Sequence, residues 1–211
     1  MRASGLNDSK KEWLSLLDDK AVSLIMPTTN LDMAKNTADI LLARSGVPAQ
    51  VLIVEDDLQE GSVVILNQVC QQTVCHAIAY VAQDVFPGRL WLKRGLTMLA
   101  QAKTGLVAFN DGKWCGEIAS YGLLKTQWIR KVYGGGLFYK GYKQHYGDVE
   151  LSLIARSAGA FSYDPHAVLI EIDPEKDQKK VDESDRELFA SRKLSGFDGK
   201  VKDMRLLGMF G

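Results

Sequence analysis

Cysteine is scarce in this chain of 211 residues: Cys70, Cys75 and Cys115 are all there is. That is too few for a disulfide framework, and Cys70 and Cys75 have neither zinc-knuckle spacing nor a second pair to complete one. All three read as reduced, buried thiols in a cytoplasmic protein. An excess of one charge is also missing, since 26 Lys and Arg balance 26 Asp and Glu. A net charge of zero leaves no global footprint for nucleic acid, only room for a local basic patch. No apolar run approaches the roughly 18–20 residues that cross a bilayer. Work at a membrane would therefore be peripheral. Residues 1–11 are polar and lack the apolar centre of a secretory signal, so none is expected. No Gly-x-Gly-x-x-Gly follows the first strand and no Walker loop occurs, which argues against a dinucleotide or P-loop site. Internal repeats and low-complexity tracts are absent as well.

What is present is the composition of an ordinary globular protein, 46% hydrophobic and 25% charged, long enough for one domain with a substantial core. Trp13, Leu14, Leu16 and Leu17 suggest a short amphipathic helix over 9–17. An apolar strand over 21–26 stops at Pro27. Thr29 or Asn30 then caps a helix over 31–44, in which Leu31, Ala34, Ala38, Leu41 and Leu42 repeat at helical spacing. A second strand over 50–54 runs into Glu55, Asp56 and Asp57, and a helix follows over about 61–72. A third strand begins at Ala77. Strands alternating with helices predict a largely parallel sheet covered on both faces. In such a sheet the loops after the strands meet along one edge, where ligands bind. Thr28, Glu55, Asp56 and Asp84 would line that edge.

The segment 77–92 is the centre of this arrangement. Its apolar start reads as a buried strand, Gln83 and Asp84 interrupt it, and Pro87-Gly88 turns the chain. Asp84 suits either a ligand site at the sheet edge or a cap for the next turn. Beyond it the pattern predicts a helix over 90–102 and a strand over 106–109 ending in the turn Asn110-Asp111-Gly112. A less regular stretch over 115–124 reads as strand then turn, and a short helix spans 126–133. Gly134 to Gly136 give way to an aromatic loop with Phe138, Tyr139, Tyr142, His145 and Tyr146. A helix opens at Gly147 and closes near Gly159. Two short β-like pieces follow at 161–163 and 168–172. Residues 174–192 read as a charged, exposed helix, and the tail from Ser195 carries Leu206, Leu207, Met209 and Phe210, which could dock on the core or a partner.

Four blocks in this order resemble family-2-like glycosyltransferases of the GT-A fold, the nucleotide-diphospho-sugar transferases. They are Val22 to Asn30 with Pro27-Thr28-Thr29-Asn30, Leu52 to Asp57, Tyr80 to Pro87 with Trp91-Leu92, and Gly134 to Pro165 with Tyr146-Gly-Asp-Val-Glu-Leu151, Arg156 and Gly159. The resemblance spans roughly residues 20–172. It implies a catalytic domain over 21–173, between an N-terminal helical extension over 1–20 and a charged helical extension over 174–211. There are departures. Asp84 stands without the second acid of the metal-binding segment, and Gly147 replaces the first acid of the Glu-Asp pair. The aromatic motif of processive synthases is absent, which argues against a polymerising enzyme.

The resemblance implies transfer of a single sugar from a nucleoside-diphosphate donor, UDP type favoured, to an acceptor hydroxyl, with inversion. Mg²⁺ or Mn²⁺ at Asp84 would neutralise the diphosphate, because these ions need few protein carboxylates when phosphate and water fill the other positions. His145 is a further candidate ligand for the metal or phosphate. Asp148, a carboxylate at the start of a helix, is the expected general base, with Glu150 as a helper that orients it or the acceptor. Pro27, Thr28, Glu55, Asp56, Gln83 and Asp84 would hold the donor. A carboxylate accepts well from a base imide or ribose hydroxyl, and either Glu55 or Asp56 could do so. Tyr139, Tyr142 and Tyr146 are placed for an acceptor sugar; Trp91, Trp114 and Trp128 suit the core better. Arg186 and Arg192 could close over the diphosphate, or belong to a solvated helix face. The acceptor (glycan, glycolipid, protein or nucleobase) and the oligomeric state are not legible. The alternative reading is a binding or scaffold protein that kept the fold and lost turnover. A nucleotidyltransferase would need a Gly-rich basic loop after the first strand, which Pro27 to Asn30 do not supply.

Overall fold

The computed structural model describes residues 22–172 and 181–210. The helix expected over 9–17 lies outside them, as do residues 173–180. Seven strands form one sheet: β1 (Val22–Thr28), β2 (Gln50–Glu55), β3 (Ala77–Tyr80), β4 (Val85–Pro87), β5 (Leu106–Asn110), β6 (Gly122–Lys125) and β7 (Phe161–Glu171). Their order across the sheet is β2-β1-β3-β6-β5-β7-β4. β1 runs parallel to β2 and β3, and β7 runs parallel to β5. β6 opposes both β3 and β5, and β4 opposes β7. The sheet is therefore mostly parallel, with two reversed strands.

The reversal of β6 fixes the position of the site. Tyr80 at the end of β3 pairs with Gly122 at the start of β6. The connection from β5 to β6, residues 111–121, thus lies along the same edge as the ends of β1, β2 and β3.

Helices cover both faces: α1 (Leu31–Ser45), α2 (Ser62–Gln72), α3 (Trp91–Leu99), α4 (Thr126–Tyr133), α5 (Gly147–Ser157) and α6 (Glu183–Leu194), then a turn over Gly196–Gly199 and the single-turn α7 (Met204–Leu207). Alternation along β1 divides the core. Ile25 faces one apolar cluster with residues of α2, α5 and α6, while Leu24 and Met26 face the other with α1 and α3. All three are completely buried, each contributing about 1.5–3 kcal/mol of transfer free energy. The Asn30 side chain caps α1 by accepting from the Met33 N–H at 3.1 Å, and Gly46 ends it at φ +74°. That left-handed value suits glycine. A Cβ there would also come within 2.6 Å of Leu90.

Several expectations need correction. The stretch 115–124 is turn first and strand second, because the strand must begin at Gly122 to pair with Tyr80. α3 ends at Leu99, short of the expected Ala102. The pieces at 161–163 and 168–172 are one strand, β7, with a register irregularity opposite Ala108 and Asn110. The bulge accommodates Pro165, whose carbonyl accepts from the Asn110 side chain at 2.8 Å. β4 was not foreseen; it is three residues long and exists through its pairing with β7. Cys70 and Cys75 are buried as expected, but Cys115 is exposed. Burial pushes the Cys70 thiol up to about 12, which makes it inert. The largest correction concerns the charged helix. α6 is not merely a solvated surface: Asp185, Phe189 and Arg192 are buried. Phe197 and Val201 join the same core, and Leu206, Leu207 and Phe210 pack against it. Trp91 is fully buried, as read from the sequence.

Candidate active site

The carboxyl edge is ordered by side chains that bind backbone. Thr28 is buried at the end of β1 and its hydroxyl donates to Gln83 Oε1. The same oxygen accepts from the N–H groups of Thr29 at 3.1 Å and Asn30 at 3.2 Å. The Gln83 carbonyl accepts from Thr37 Oγ1 at 2.6 Å. Gln83 thus ties the loop after β3 to the β1–α1 turn. Pro27 lies opposite Val54 of β2, beyond Ile25–Tyr80, the last β1–β3 pair. A residue without an N–H is tolerated where a strand has lost a neighbour.

At the end of β2 the two acids separate in role. Asp56 Oδ1 accepts from the Glu60 N–H at 2.8 Å and Oδ2 from the Gly61 N–H at 2.9 Å. Its carboxylate orders the turn into α2. Glu55 beside it is exposed. Gly61 is required there: φ is +100°, and a Cβ would lie 2.5 Å from the Lys143 carbonyl oxygen. That carbonyl accepts from the Val63 N–H at 2.9 Å, joining the loop before α5 to the start of α2.

Asp84 is buried and its carbonyl accepts from the Ile172 N–H at 2.9 Å. Pairing of Val85 with Glu171 sets Glu171 beside it. The Tyr121 hydroxyl bonds to Glu171. Its pKa is raised far above the usual range, first by burial and then by the charges of Glu171, Asp84 and Asp111. Three acids thus gather round one tyrosine.

Asp111, at the end of β5, is 7% exposed. Its Oδ1 accepts from the N–H groups of Lys113 at 3.0 Å, Trp114 at 2.8 Å and Cys115 at 3.2 Å. Its Oδ2 is buried and has no hydrogen-bond partner among the described residues.

Asp148 sits half-buried in the first turn of α5, with Oδ1 accepting from the Val149 N–H at 2.9 Å. Burial raises its carboxyl to about 6, with the Asp111 charge adding to the effect and backbone N–H donors opposing it. The Asp148 charge in turn adds to the burial that raises the Tyr80 hydroxyl. The Asp148 carboxylate is thus within electrostatic reach of the Tyr80 hydroxyl at the end of β3 and of Asp111, whose charge also acts on Tyr121. One face of α5 holds the 111–121 connection: the Ser152 hydroxyl, which donates to the Asp148 carbonyl at 2.6 Å, accepts from the Ala119 N–H at 2.9 Å. Further along, Arg156 donates to the carbonyl oxygens of Gly116 and Glu117.

Glu150 and the aromatic loop are placed differently from the sequence reading. Glu150 is fully buried. Arg192 grips it with two bonds of 2.7 Å, and the hydroxyls of Tyr133 and Tyr142 donate to it at 3.0 and 2.9 Å. Tyr142 is buried, Tyr139 lies under the Arg192 guanidinium, and Tyr146 stacks on Phe189. Tyr139 and Tyr146 thus pack on α6, and Tyr142 shares Glu150 with Arg192. Arg186 pairs with Glu183 on the surface at 3.3 Å. His145 Nδ1 accepts from the Asp182 N–H at 3.3 Å, and the His145 backbone N–H donates to Asp185 at 2.8 Å. No group of three His, Cys, Asp or Glu side chains among the described residues is arranged to hold a metal by itself.

Asp111, Tyr121, Glu171 and Asp185 were not singled out in the sequence, and Arg192 was read as closing over the diphosphate or lying on a solvated face, whereas it is buried against Glu150. Asp111 stood inside a turn signal, and its position directly after a strand of the same sheet was the available clue. Glu171 takes its partner Tyr121 from 50 residues away and Arg192 its partner Glu150 from 42, and pattern reading does not reach that far.

No protein-family model and no curated protein matches the chain. Solved structures do. The mannosyltransferase PcManGT of Pyrobaculum calidifontis, in complex with GDP-Man and Mn²⁺, superposes with a TM-score of 0.56 at 15% identity, over 80% of this chain and 64% of that one. S. aureus TarS 1–349 in complex with UDP-GlcNAc gives 0.66 at 13% identity, over 88% and 69%. A longer TarS structure gives 0.65 at 12% identity, over 88% of this chain and 41% of that one. The chain thus spans less than two thirds of the mannosyltransferase and of the longer TarS. These likenesses establish the fold, that of the GT-A nucleotide-diphospho-sugar transferases.

Proposed function

We propose that this chain is a glycosyltransferase that moves one sugar from a nucleoside-diphosphate donor to an acceptor hydroxyl, with inversion. What supports the reading is that Asp84 follows β3 on the ligand-binding edge of the sheet, that α5, which carries Asp148, holds the 111–121 connection along that edge, and that the Asp111 charge acts on both Asp148 and Tyr121. The titration of Asp148 near 6 supports it: such a carboxylate is ionised at neutral pH yet basic enough to take a proton from an acceptor hydroxyl.

Asp148 is the proposed base. It accepts the acceptor's proton as the hydroxyl oxygen attacks the anomeric carbon and the diphosphate departs with the electrons of the broken bond. Attack from the opposite face, without a covalent enzyme intermediate, inverts the anomeric centre. Glu55 is the proposed contact to the nucleoside, since it is exposed while Asp56 is committed to its turn. Pro27, Thr28 and Gln83 shape the floor on which the donor lies. Glu150 acts at a distance, as a buried anchor of the helix that carries Asp148.

The acidic side fits a divalent cation. Asp84, Asp111 and Glu171 concentrate negative charge, and Asp111 Oδ2 is a buried acceptor with no donor among the described residues. Asp84 would hold Mg²⁺ or Mn²⁺, with Glu171 and Asp111 adding charge and the donor's phosphates completing the ligand set. When bound, the ion supplies charge neutralisation for the departing diphosphate. His145 stays a proposed ligand for the metal or phosphate, although its Nδ1 accepts from the Asp182 N–H at 3.3 Å. Among the described residues no helix is long and apolar enough to cross a membrane. UDP is the favoured nucleotide, and GDP is the comparison to make.

The test is donor binding followed by turnover. Thermal unfolding is followed with UDP, GDP, UDP-GlcNAc and GDP-mannose, each with and without Mn²⁺. A ligand at a hundredfold excess over Kd adds about 2.7 kcal/mol. Stabilisation by none of them overturns the reading. Binding without turnover, unchanged in Asp148→Asn, favours instead a protein that kept the fold as a binding module.

A further inference from the structure

The buried cation of the C-terminal helix is unused by the chemistry above, although it meets the helix that carries the proposed base. Arg192 is 6% exposed and Glu150 is fully buried. The guanidinium donates from Nε to Glu150 Oε2 and from Nη2 to Glu150 Oε1, each at 2.7 Å. A second carboxylate, Asp198, accepts at 3.3 and 3.1 Å from the outer nitrogens. The Tyr139 ring lies against the guanidinium plane, with its centroid 3.3 Å away. Asp198 is held in a left-handed conformation, φ +60°, in the turn after α6. Planar bidentate pairing with stacking is a geometry only arginine supplies.

Glu150 lies two residues beyond Asp148 in the same helical turn. Holding the Glu150 carboxylate with four hydrogen bonds from three residues therefore fixes the direction of the first turn of α5. The Tyr133 and Tyr142 hydroxyls that share Glu150 belong to α4 and to the loop before α5. That loop is tied to α6 a second time: Asp185, 1% exposed, accepts from the N–H groups of Lys143, Gln144 and His145. α6 holds both ends of the segment that leads into Asp148. A buried ion pair is a poor source of net stability, because desolvation offsets most of the attraction. Its geometric constraint on α5 is the effect that remains.

We infer that Arg192 is a positioning residue for the reaction: through Glu150 it sets the first turn of α5, and with it the Asp148 carboxylate, against the ends of β3 and β5. The inference rests on Asp148 being the base. Its tests separate failure of the one from failure of the other.

The variants are Arg192→Lys, which keeps the charge and loses the fork, and Arg192→Met. Because Arg192→Met leaves a buried carboxylate unpaired, Glu150→Met/Arg192→Met is made alongside, removing both charges. Two measurements are taken on the full chain. One is nucleotide release from UDP-GlcNAc and GDP-mannose with Mn²⁺. The other is the titration of the Asp148 carboxyl by ¹³C NMR, assigned by its loss in Asp148→Asn. The groups facing Asp148 are Asp111 and the Tyr80 hydroxyl, and neither is altered. A misplaced base loses on the order of 10–100-fold in kcat, with KM for the donor within about twofold. The folded double variant is expected to show that loss together with an Asp148 titration displaced from wild type, and Arg192→Lys to recover part of both. A folded double variant with wild-type kcat and wild-type titration overturns the inference. If neither donor is turned over by the wild type, the sugar-transfer reading weakens while the titration still decides the positioning role: displaced supports it, unmoved overturns it.

Discussion

Asp111 stands close enough to Asp148 for its charge to add to the burial that raises the Asp148 carboxyl to about 6. The two acids have different surroundings. Asp111 spends one oxygen on three backbone N–H groups, whereas Asp148 receives one such bond from Val149. Asp111→Asn separates charge from structure, because the amide oxygen can still accept from the 113–115 turn. The acid limb of the pH profile for nucleotide release should move to lower pH, with the melting temperature little changed. A limb that stays in place removes Asp111 from any influence on the base.

The sheet was legible because its signals are local. Apolar runs ended by Pro27, Glu55 and Gln83 mark three strands, and Asn30 and Gly46 bracket α1 as cap and stop. Asp84 stood out as an acid following a buried strand, and Asp148 through the likeness of its segment to the family's acidic pair, since an acid at a helix start is by itself common. The rest depends on contacts far apart in sequence. β4 is a strand by virtue of β7, and Pro165 hid the continuity of β7. α6 looked like a solvated helix because its charges are numerous. Asp185 and Arg192 are charged residues that the core accepts only because backbone N–H groups and Glu150 satisfy them. Such pairing is invisible to periodicity.

Asp148→Asn should have two effects of opposite value to the protein. Turnover falls by on the order of 10²–10⁴-fold if Asp148 is the base. Stability rises at neutral pH, for the following reason. The folded carboxyl titrates at about 6 against an ordinary 3.8, so the folded state binds the proton more tightly than the unfolded chain. The stabilising contribution is complete below about 4 and is lost as pH rises through 6. Asparagine cannot ionise and escapes that loss. Urea unfolding at pH 7.5 should show a gain on the order of 1–3 kcal/mol, fading toward pH 4. A variant no more stable than wild type at pH 7.5 contradicts the raised carboxyl.

Glu55 and Asp56 should part company on substitution. Glu55→Ala removes an exposed side chain, so stability changes by no more than about 0.5 kcal/mol. If Glu55 contacts the nucleoside, KM for the donor rises with kcat little altered. Asp56→Ala deprives two backbone N–H groups of their acceptor and should cost about 1–2 kcal/mol, as loss of a cap does. Equal melting temperatures for the two variants would contradict the division of labour seen at the end of β2.

Asp185→Ala tests how firmly α6 holds the loop before α5. Three N–H groups bond to one buried carboxylate, and bonds to a charged acceptor contribute about 1.5–3 kcal/mol each at most. The loop is expected to open locally, so the global loss should be on the order of 3 kcal/mol rather than the sum. Amide exchange at 143–145 should accelerate more than exchange in β1, whose centre is completely buried. Uniform acceleration across both would mean the clamp stabilises the fold as a whole.

Metal dependence should be conditional on the nucleotide. Among the described residues no three side chains form a ready-made metal site, so the protein alone offers Mn²⁺ a concentration of charge and little coordination. A donor diphosphate supplies the missing oxygens, as hard divalent ions prefer. Mn²⁺ alone should therefore shift the unfolding temperature little, UDP or GDP alone modestly, and the two together by more than the sum. Asp84→Asn should abolish the excess and spare the nucleotide-only shift. An Mn²⁺ shift of equal size with and without nucleotide, retained in Asp84→Asn, would place the ion elsewhere on the molecule and remove Asp84 from the diphosphate.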